Sequence, residues 1–278
     1  FSLLLLIGAG LVLRSLDKVR PTRLGFASEN MVLAPISLDE NQYDRTKSQR
    51  FYRELSDNLS SLPGVEAVSL VDGIPGGFMS RTRRGTEIEG YAAASGEDLE
   101  IDANAVGPGY FTNMKVPFVV GRDIGAEDVE GTPCVSIVNV AFAERYLGSP
   151  SQAIGKHLAR GDGNGGKVMC AIVGVVRDNA WQSLQREVRP VFSMALLQSN
   201  EARMTLLVHT SGNPGAFVPS VRQAIQRLDA SIPLAGVQPV RDYFNATALP
   251  FRALGLVMTA CGILALLLNL ATAVAFLN

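Results

Sequence analysis

The chain has 278 residues, 47% of them hydrophobic and 18% charged, with a formal net charge of −1. So even a charge excludes the basic field of a nucleic-acid binder, and no nucleic acid is expected as a partner. Three cysteines, none in a CxxC pair, imply no disulfide framework.

The opening FSLLLLIGAGLVLRSL, residues 1–16, is apolar up to Arg14. The run alone is shorter than the roughly 20 residues that span a bilayer core, and it lacks the basic start and small-residue cleavage site of a signal peptide. It is expected to be the outer part of a first transmembrane helix that begins upstream. Arg14, Lys18, Arg20 and Arg23 follow it. The positive-inside rule weakens for loops longer than about 60 residues, so these charges leave the side of the membrane open.

Residues 30–38 (NMVLAPISL) are an expected strand. Residues 44–61 are an expected helix, because Phe51, Leu55, Leu59 and Leu62 recur at helical spacing until Pro63-Gly64 stops it. Residues 65–71 (VEAVSLV) follow as a strand, completing a strand–helix–strand unit. Residues 72–85, rich in glycine and carrying Arg81, Arg83 and Arg84, read as a solvated loop. Glu97, Asp98 and Glu100 also read as loop solvation.

Further on, Gly107-Pro108-Gly109 reads as a turn opening a short helix to Met114. Residues 134–138 are an expected strand, Asn139 an N-cap and 141–147 a helix. Residues 158–160 and 168–176 form an expected hairpin across a 161–166 loop. Cys134 and Cys170 both fall in expected strands; buried free thiols are the expectation and a Cys134–Cys170 bridge the alternative. Residues 204–209 are a strand, and a helix after Asn213-Pro214 places Val218, Val221, Ile225 and Leu228 on one face, with Pro219 in its first turns or kinking it. Residues 232–237 close a second strand–helix–strand unit.

The final stretch, 253–277, carries no charge and only Asn269 as a strongly polar side chain. At about 1.5 Å per residue it is long enough to cross a hydrocarbon core about 30 Å thick, and it shows no polar face. Asn269 could hydrogen-bond to another helix, and Gly255, Ala260 and Gly262 are small enough for close approach.

No catalytic or metal constellation emerges. Gly161–Lys167 fits GxxxxGK, but Val168 stands where a Ser or Thr should reach Mg²⁺, and strand sequence follows instead of a helix. His157 and His209 have no Cys, Asp or Glu at ligand spacing. No GxSxG elbow is present. No catalytic, cofactor-binding or metal-binding residue is therefore expected, no cofactor is expected, and the chain is not expected to be an enzyme.

Six stretches in order carry a family resemblance: LLLLIGAGLVLRSL at 3–16, SLPGVEAVSLVDGIP at 61–75, VGPGYFTNMKVPFVVGRDI at 106–124, VSIVNVAFAERYLG at 135–148 with IGKHL at 154–158, IVGVVRDNAWQSL at 172–184, and the closing apolar run. Together they resemble the MacB/FtsX-type permeases of ABC transport systems, and among them the duplicated orphan branch described from acidobacteria. Val140 departs from the usual acidic residue, and Ser193 to Leu196 from the usual aromatic-x-proline pattern.

The resemblance implies an α+β fold: a split, porter-like α/β subdomain of two β-α-β units (28–71 and 201–240), an inserted strand-rich subdomain (72–200), and flanking transmembrane helices at 1–16 and 251–278. It implies that residues 17–250 lie in the periplasm of a bacterium, held to the inner membrane. As partners it implies the lipid bilayer, a separate cytoplasmic ABC ATPase, a second permease half in a homodimer or pseudo-dimer, and a periplasmic or outer-membrane protein. The ATPase would move the periplasmic domain through the helices, and the chain would end before the cytoplasmic coupling segment. The alternative is a membrane-anchored extracytoplasmic sensor or ligand- or protein-binding module without transport.

Overall fold

The computed structural model describes residues 30–73, 82–97, 99–161, 166–178, 188–199 and 201–246, and Val257, Ala260, Cys261, Ile263 and Leu264. The chain divides into two units, Gly25–Val240 and one that takes in Phe1–Leu24 and Arg241–Asn278. The twelve strands among the described residues lie in the first unit, in one mixed sheet. The two expected transmembrane helices fall outside the described residues, except for those five positions. Among the described residues no helix is long and apolar enough to cross a membrane.

Strand β1 (Met31–Ser37) enters helix α1 (Arg45–Ser60) through Asp44, whose side chain accepts the Lys47 N–H at 2.8 Å. This satisfies one of the donors that every helix start leaves open. The helix buries Phe51, Leu55 and Leu59 and ends before Gly64, which takes φ 84°. Strand β2 (Val65–Val71) follows. It does not pair with β1. Strand β11 (Arg203–Thr210) lies between them, antiparallel to both. Helix α5 (Pro214–Leu228) then leads to β12 (Gln238–Pro239), which pairs with the outer edge of β1. Here the order β12-β1-β11-β2 interlocks two split βαβ units, the ferredoxin-like arrangement. Val32, Ala34 and Ile36 alternate onto the face that α1 and α5 cover, with Leu206 and Val208 beside them.

The expected closing strand at 232–237 is corrected: those residues form no strand, and the chain pairs just beyond them, in β12. Ile232 and Val237 pack into the core, but only 238–239 pair. Pro233 has no N–H to offer a ladder, and the Val237 N–H turns back to the Leu234 carbonyl at 3.2 Å.

A second core occupies the rest of the sheet. Its strands are β5 (Glu100–Val106), β10 (Val191–Ala195), β7 (Val135–Asn139), β9 (Lys167–Val176), β8 (His157–Gly161) and β4 (Glu87–Ile88), in that order. Strand β3 (Thr82–Gly85) pairs with β5 and β6 (Phe118–Gly121) with β9. Helices α3 (Val140–Leu147) and α4 (Pro150–Ala153) follow β7, while α2 (Tyr110–Asn113) packs on β2. Phe142 and Phe192 meet edge to face at 6.5 Å in this core. The expected Asn139 cap is present: its Oδ1 accepts the Phe142 N–H at 3.0 Å. Between the two cores the sheet is joined by one ladder pair, Val71 with Val106, flanked by bonds from the Asp72 and Gly107 N–H groups.

Three further expectations are corrected. Arg83 and Arg84 are not in a solvated loop; they sit in β3, opposite Asp102 and Ile101 of β5. Arg81 lies outside the described residues. Glu97 accepts from the Tyr91 hydroxyl at 2.8 Å and pairs with Arg145 at 3.2 Å, and Glu100 opens β5; Asp98 is outside the described residues. Cys134 and Cys170 are not free thiols but a disulfide. Because β7 and β9 are parallel neighbours with Val135 opposite Ala171, the two cysteines come to lie side by side, Cα atoms 4.4 Å apart. Sequence spacing does not reveal that register.

Candidate functional site

The chain leaves the first core at Asp72 and returns to it through a 3₁₀ turn, Leu196–Gln198, with Ser199 and residues 201–203. This second passage is a strap, and both cores grip it. From α1, three side chains at helical spacing reach it: Arg45 Nη2 donates to the Gln198 carbonyl at 2.6 Å, Gln49 Nε2 to the Leu197 carbonyl at 2.9 Å, and the Tyr52 hydroxyl to the Ala202 carbonyl at 3.0 Å. Positions 45, 49 and 52 form one stripe along a helix, next to the apolar stripe of Phe51, Leu55 and Leu59.

From the other core, Arg160 Nη2 donates to the same Gln198 carbonyl at 2.5 Å. The Gln198 side chain, 4% exposed, then fastens the loop that leads into β7. Its Oε1 accepts the Val135 N–H at 3.0 Å, and its Nε2 donates to Thr132 Oγ1 at 3.0 Å and to the Pro133 carbonyl at 2.9 Å. Arg45 Nη1 meets Glu130 on that loop at 2.9 Å. The carboxamide thus satisfies buried backbone groups that no strand ladder reaches.

A charged knot lies beside the strap. Arg84 Nη2 pairs with Glu201 at 2.6 Å in a half-buried site. Burial pushes the Glu201 carboxyl above its usual range, with Arg84 the chief opposing influence. Asp72, at the other passage, is raised for the same reason and opposed by Arg84 and Arg203. Arginine suits this role because its planar guanidinium holds several acceptors in fixed directions.

The seam is a fastening. It positions no nucleophile against a base. Among the described residues no group of three or more metal-binding side chains occurs. Lys167 opens β9 and pairs with Glu87, so strand structure follows the GxxxxGK stretch, whose residues 162–165 lie outside the described ones. His157 Nδ1 is paired with Glu89 at 2.7 Å on the surface, and His209 is buried in β11. Of the residues singled out in the sequence, only Arg84 enters the seam. Arg45, Gln49, Gln198 and Glu201 were missed; the 45-49-52 spacing was a signal for the two on the helix, and no local pattern marked the two on the strap.

No family model matches the chain, and no curated protein does. Among solved structures, the periplasmic region of MacB from Actinobacillus actinomycetemcomitans aligns at 12% identity over 83% of this chain and 97% of that one, with a TM-score of 0.48. The extracellular domain of the noncanonic ABC-type transporter YknZ from Gram-positive bacteria aligns at 14% identity over 75% and 97%, with a TM-score of 0.44.

Proposed function

We propose that this chain is the extracytoplasmic core of a MacB/FtsX-type permease, a non-enzymatic relay moved by a separate cytoplasmic ATPase. The observation that carries the proposal is the pairing of β1 with β12: Val32 lies opposite Pro239 and Leu33 opposite Gln238. The chain therefore enters and leaves this unit at neighbouring points of one sheet edge. Two apolar segments attached there, at 1–16 and 251–278, suit a pair of helices rooted in one bilayer with the whole unit on one side. Movement of either helix would act first on that edge, then on the split βαβ core, and through the strap on the strand-rich core, which stands as the inserted subdomain (72–200).

The Cys134–Cys170 bridge supports the side of the membrane that charge counting left open. Disulfides persist in oxidising compartments and are rare in the cytosol. In this reading residues 17–250 face the periplasm of an inner-membrane protein, and a second permease half completes a dimer. The six ordered stretches add family-level support. The test is a reporter fused near Gly163 in the β8–β9 loop. An extracytoplasmic reporter is expected to be active and a cytoplasmic one silent; the reverse pattern would overturn the proposal.

A further inference from the structure

The two cores meet at a narrow place. One ladder pair joins them, and the bonds beside it run from the Asp72 N–H to the Ala105 carbonyl at 2.8 Å and from the Gly107 N–H to the Leu70 carbonyl at 2.9 Å. Strands β2 and β3 lie along the same edge of β5, with Val71 opposite Val106 and Thr82 opposite Ala103. Two acids flank the junction: Asp72, whose own backbone makes one of its bonds, and Glu201 on the strap. Arg84 serves them unevenly. Its Nη2 bonds Glu201 at 2.6 Å, its buried Nε has no hydrogen-bond partner, and among the described residues no donor reaches the half-buried Asp72 carboxyl. Burial raises both carboxyls, the Asp72 charge raises Glu201 further, and Arg84 opposes both effects. The other described groups that face the pair are Arg203 of β11, Arg160 of β8 and the Tyr52 hydroxyl of α1.

We propose that this junction is a proton-dependent hinge: Asp72 and Glu201 share one proton over Arg84, and its loss loosens the join between the cores. Two carboxylates that compete for one guanidinium titrate as a pair. While Asp72 is neutral, Arg84 sits on Glu201, as observed. With both ionised, a half-buried carboxylate is left without a hydrogen bond, which is costly away from water. Asp72 regains water by moving outward, and its N–H leaves the Ala105 carbonyl with it. Only the Val71–Val106 pair and the Gly107 bond then hold the sheet there, against seven pairs in the β1–β11 ladder of the first core. A carboxyl raised in the closed form binds its proton more tightly in that form. The hinge is therefore closed at low pH and opens as pH rises through the shared titration. The hinge is independent of any permease role, so its test stands apart from the reporter experiment.

Hydrogen exchange of the full chain in detergent is followed by mass spectrometry from about pH 5 to about pH 8, each rate divided by the intrinsic rate at that pH. In peptides covering Asp72 and Gly107 the opening constant should rise several-fold across that range, by no more than about tenfold per pH unit, the limit for one proton. The β9 amides from Ile172 to Val176 should show no such rise. Asp72→Asn and Glu201→Gln each leave a single acid on Arg84, so each should abolish the dependence. Where one variant loses its thermal transition, the other carries the comparison. An opening constant at 72 and 107 that does not change with pH overturns the hinge. An equal rise in β9 overturns it too, because the whole sheet then opens together. A dependence that survives in the folded variants overturns the shared proton.

Discussion

Asn139 uses both ends of its side-chain amide, in a position 1% exposed. Its Oδ1 accepts the Phe142 and Val191 N–H groups at 3.0 and 2.9 Å, and its Nδ2 donates to Asp178 at 2.7 Å and to the Arg189 carbonyl at 2.8 Å. Asn139→Ala should therefore cost on the order of 3 kcal/mol, a lost cap plus stranded buried groups, measured by urea unfolding. Asn139→Asp keeps the cap acceptor but sets a second carboxylate against Asp178, so it should also destabilise; a neutral result would refute this account. His209 carries a pH prediction. Burial, aided by Lys115 and opposed by Glu66, holds its imidazole below the ordinary 6.5. As pH falls below 6.5 the unfolded chain takes up this proton first, so stability is full above 6.5 and declines toward the folded value. His209→Gln should remove that slope. Asp72 and Glu201, raised by burial, act oppositely: their contribution is present below the ordinary carboxylate range and is lost as pH rises through their folded values. The difference between wild type and His209→Gln isolates the histidine from them.

Among the elements, those carrying one strong signal were legible. The 44–61 helix had its apolar stripe, 65–71 its alternation after the Pro63-Gly64 stop, and 168–176 a nearly continuous apolar run. Strand β5 (EIDANAV) escaped notice although Ile101, Ala103 and Ala105 alternate, because alanines give a weak hydrophobic signal. Strand β3 escaped because its face is arginine, paired with partners far along the chain. The β6–β9 pairing contains a register shift, and Gly121 there takes φ 86° with its backbone against the Val173 carbonyl, a close approach that leaves no room for a Cβ. The disulfide belongs to this scale, because it joins β7 to β9 across 36 positions of sequence. Loop closure of that length contributes about 4 kcal/mol in the chain-entropy model. Cys134→Ala/Cys170→Ala should lower the unfolding free energy by about 3–4 kcal/mol. Denaturant titration with and without reductant checks this: reductant should destabilise the wild type and leave the double variant unchanged.

For the molecule as a whole, the pattern of apolar ends around a globular middle was readable from hydropathy, and the first strand–helix–strand unit and the strand and helix of the second were readable from periodicity. Their interlocking was not, because strand order depends on contacts between residues such as Ala34 and Leu206 that no local pattern encodes. The seam was hidden for the same reason: Arg45 and Gln198 are 153 positions apart. If the proposed relay operates, a Gly-Ser linker inserted between Asp242 and Pro250 should abolish ATPase-dependent function of the full-length complex. The thermal transition of the Gly25–Val240 unit should be unchanged; retained function would refute a stiff connection.

The β1–β12 pairing also has a mechanical meaning. With only two residues in β12, pulling the chain's entry and exit apart peels Pro239 from Val32 and Gln238 from Leu33 one after the other. The longer β1–β11 ladder, seven pairs deep, is reached only afterwards. A load that separates the two points opens the edge like a zip, whereas a load that carries both together passes into the sheet intact. In the proposed relay this edge would therefore hold when both attachments move together and give way first when they are drawn apart.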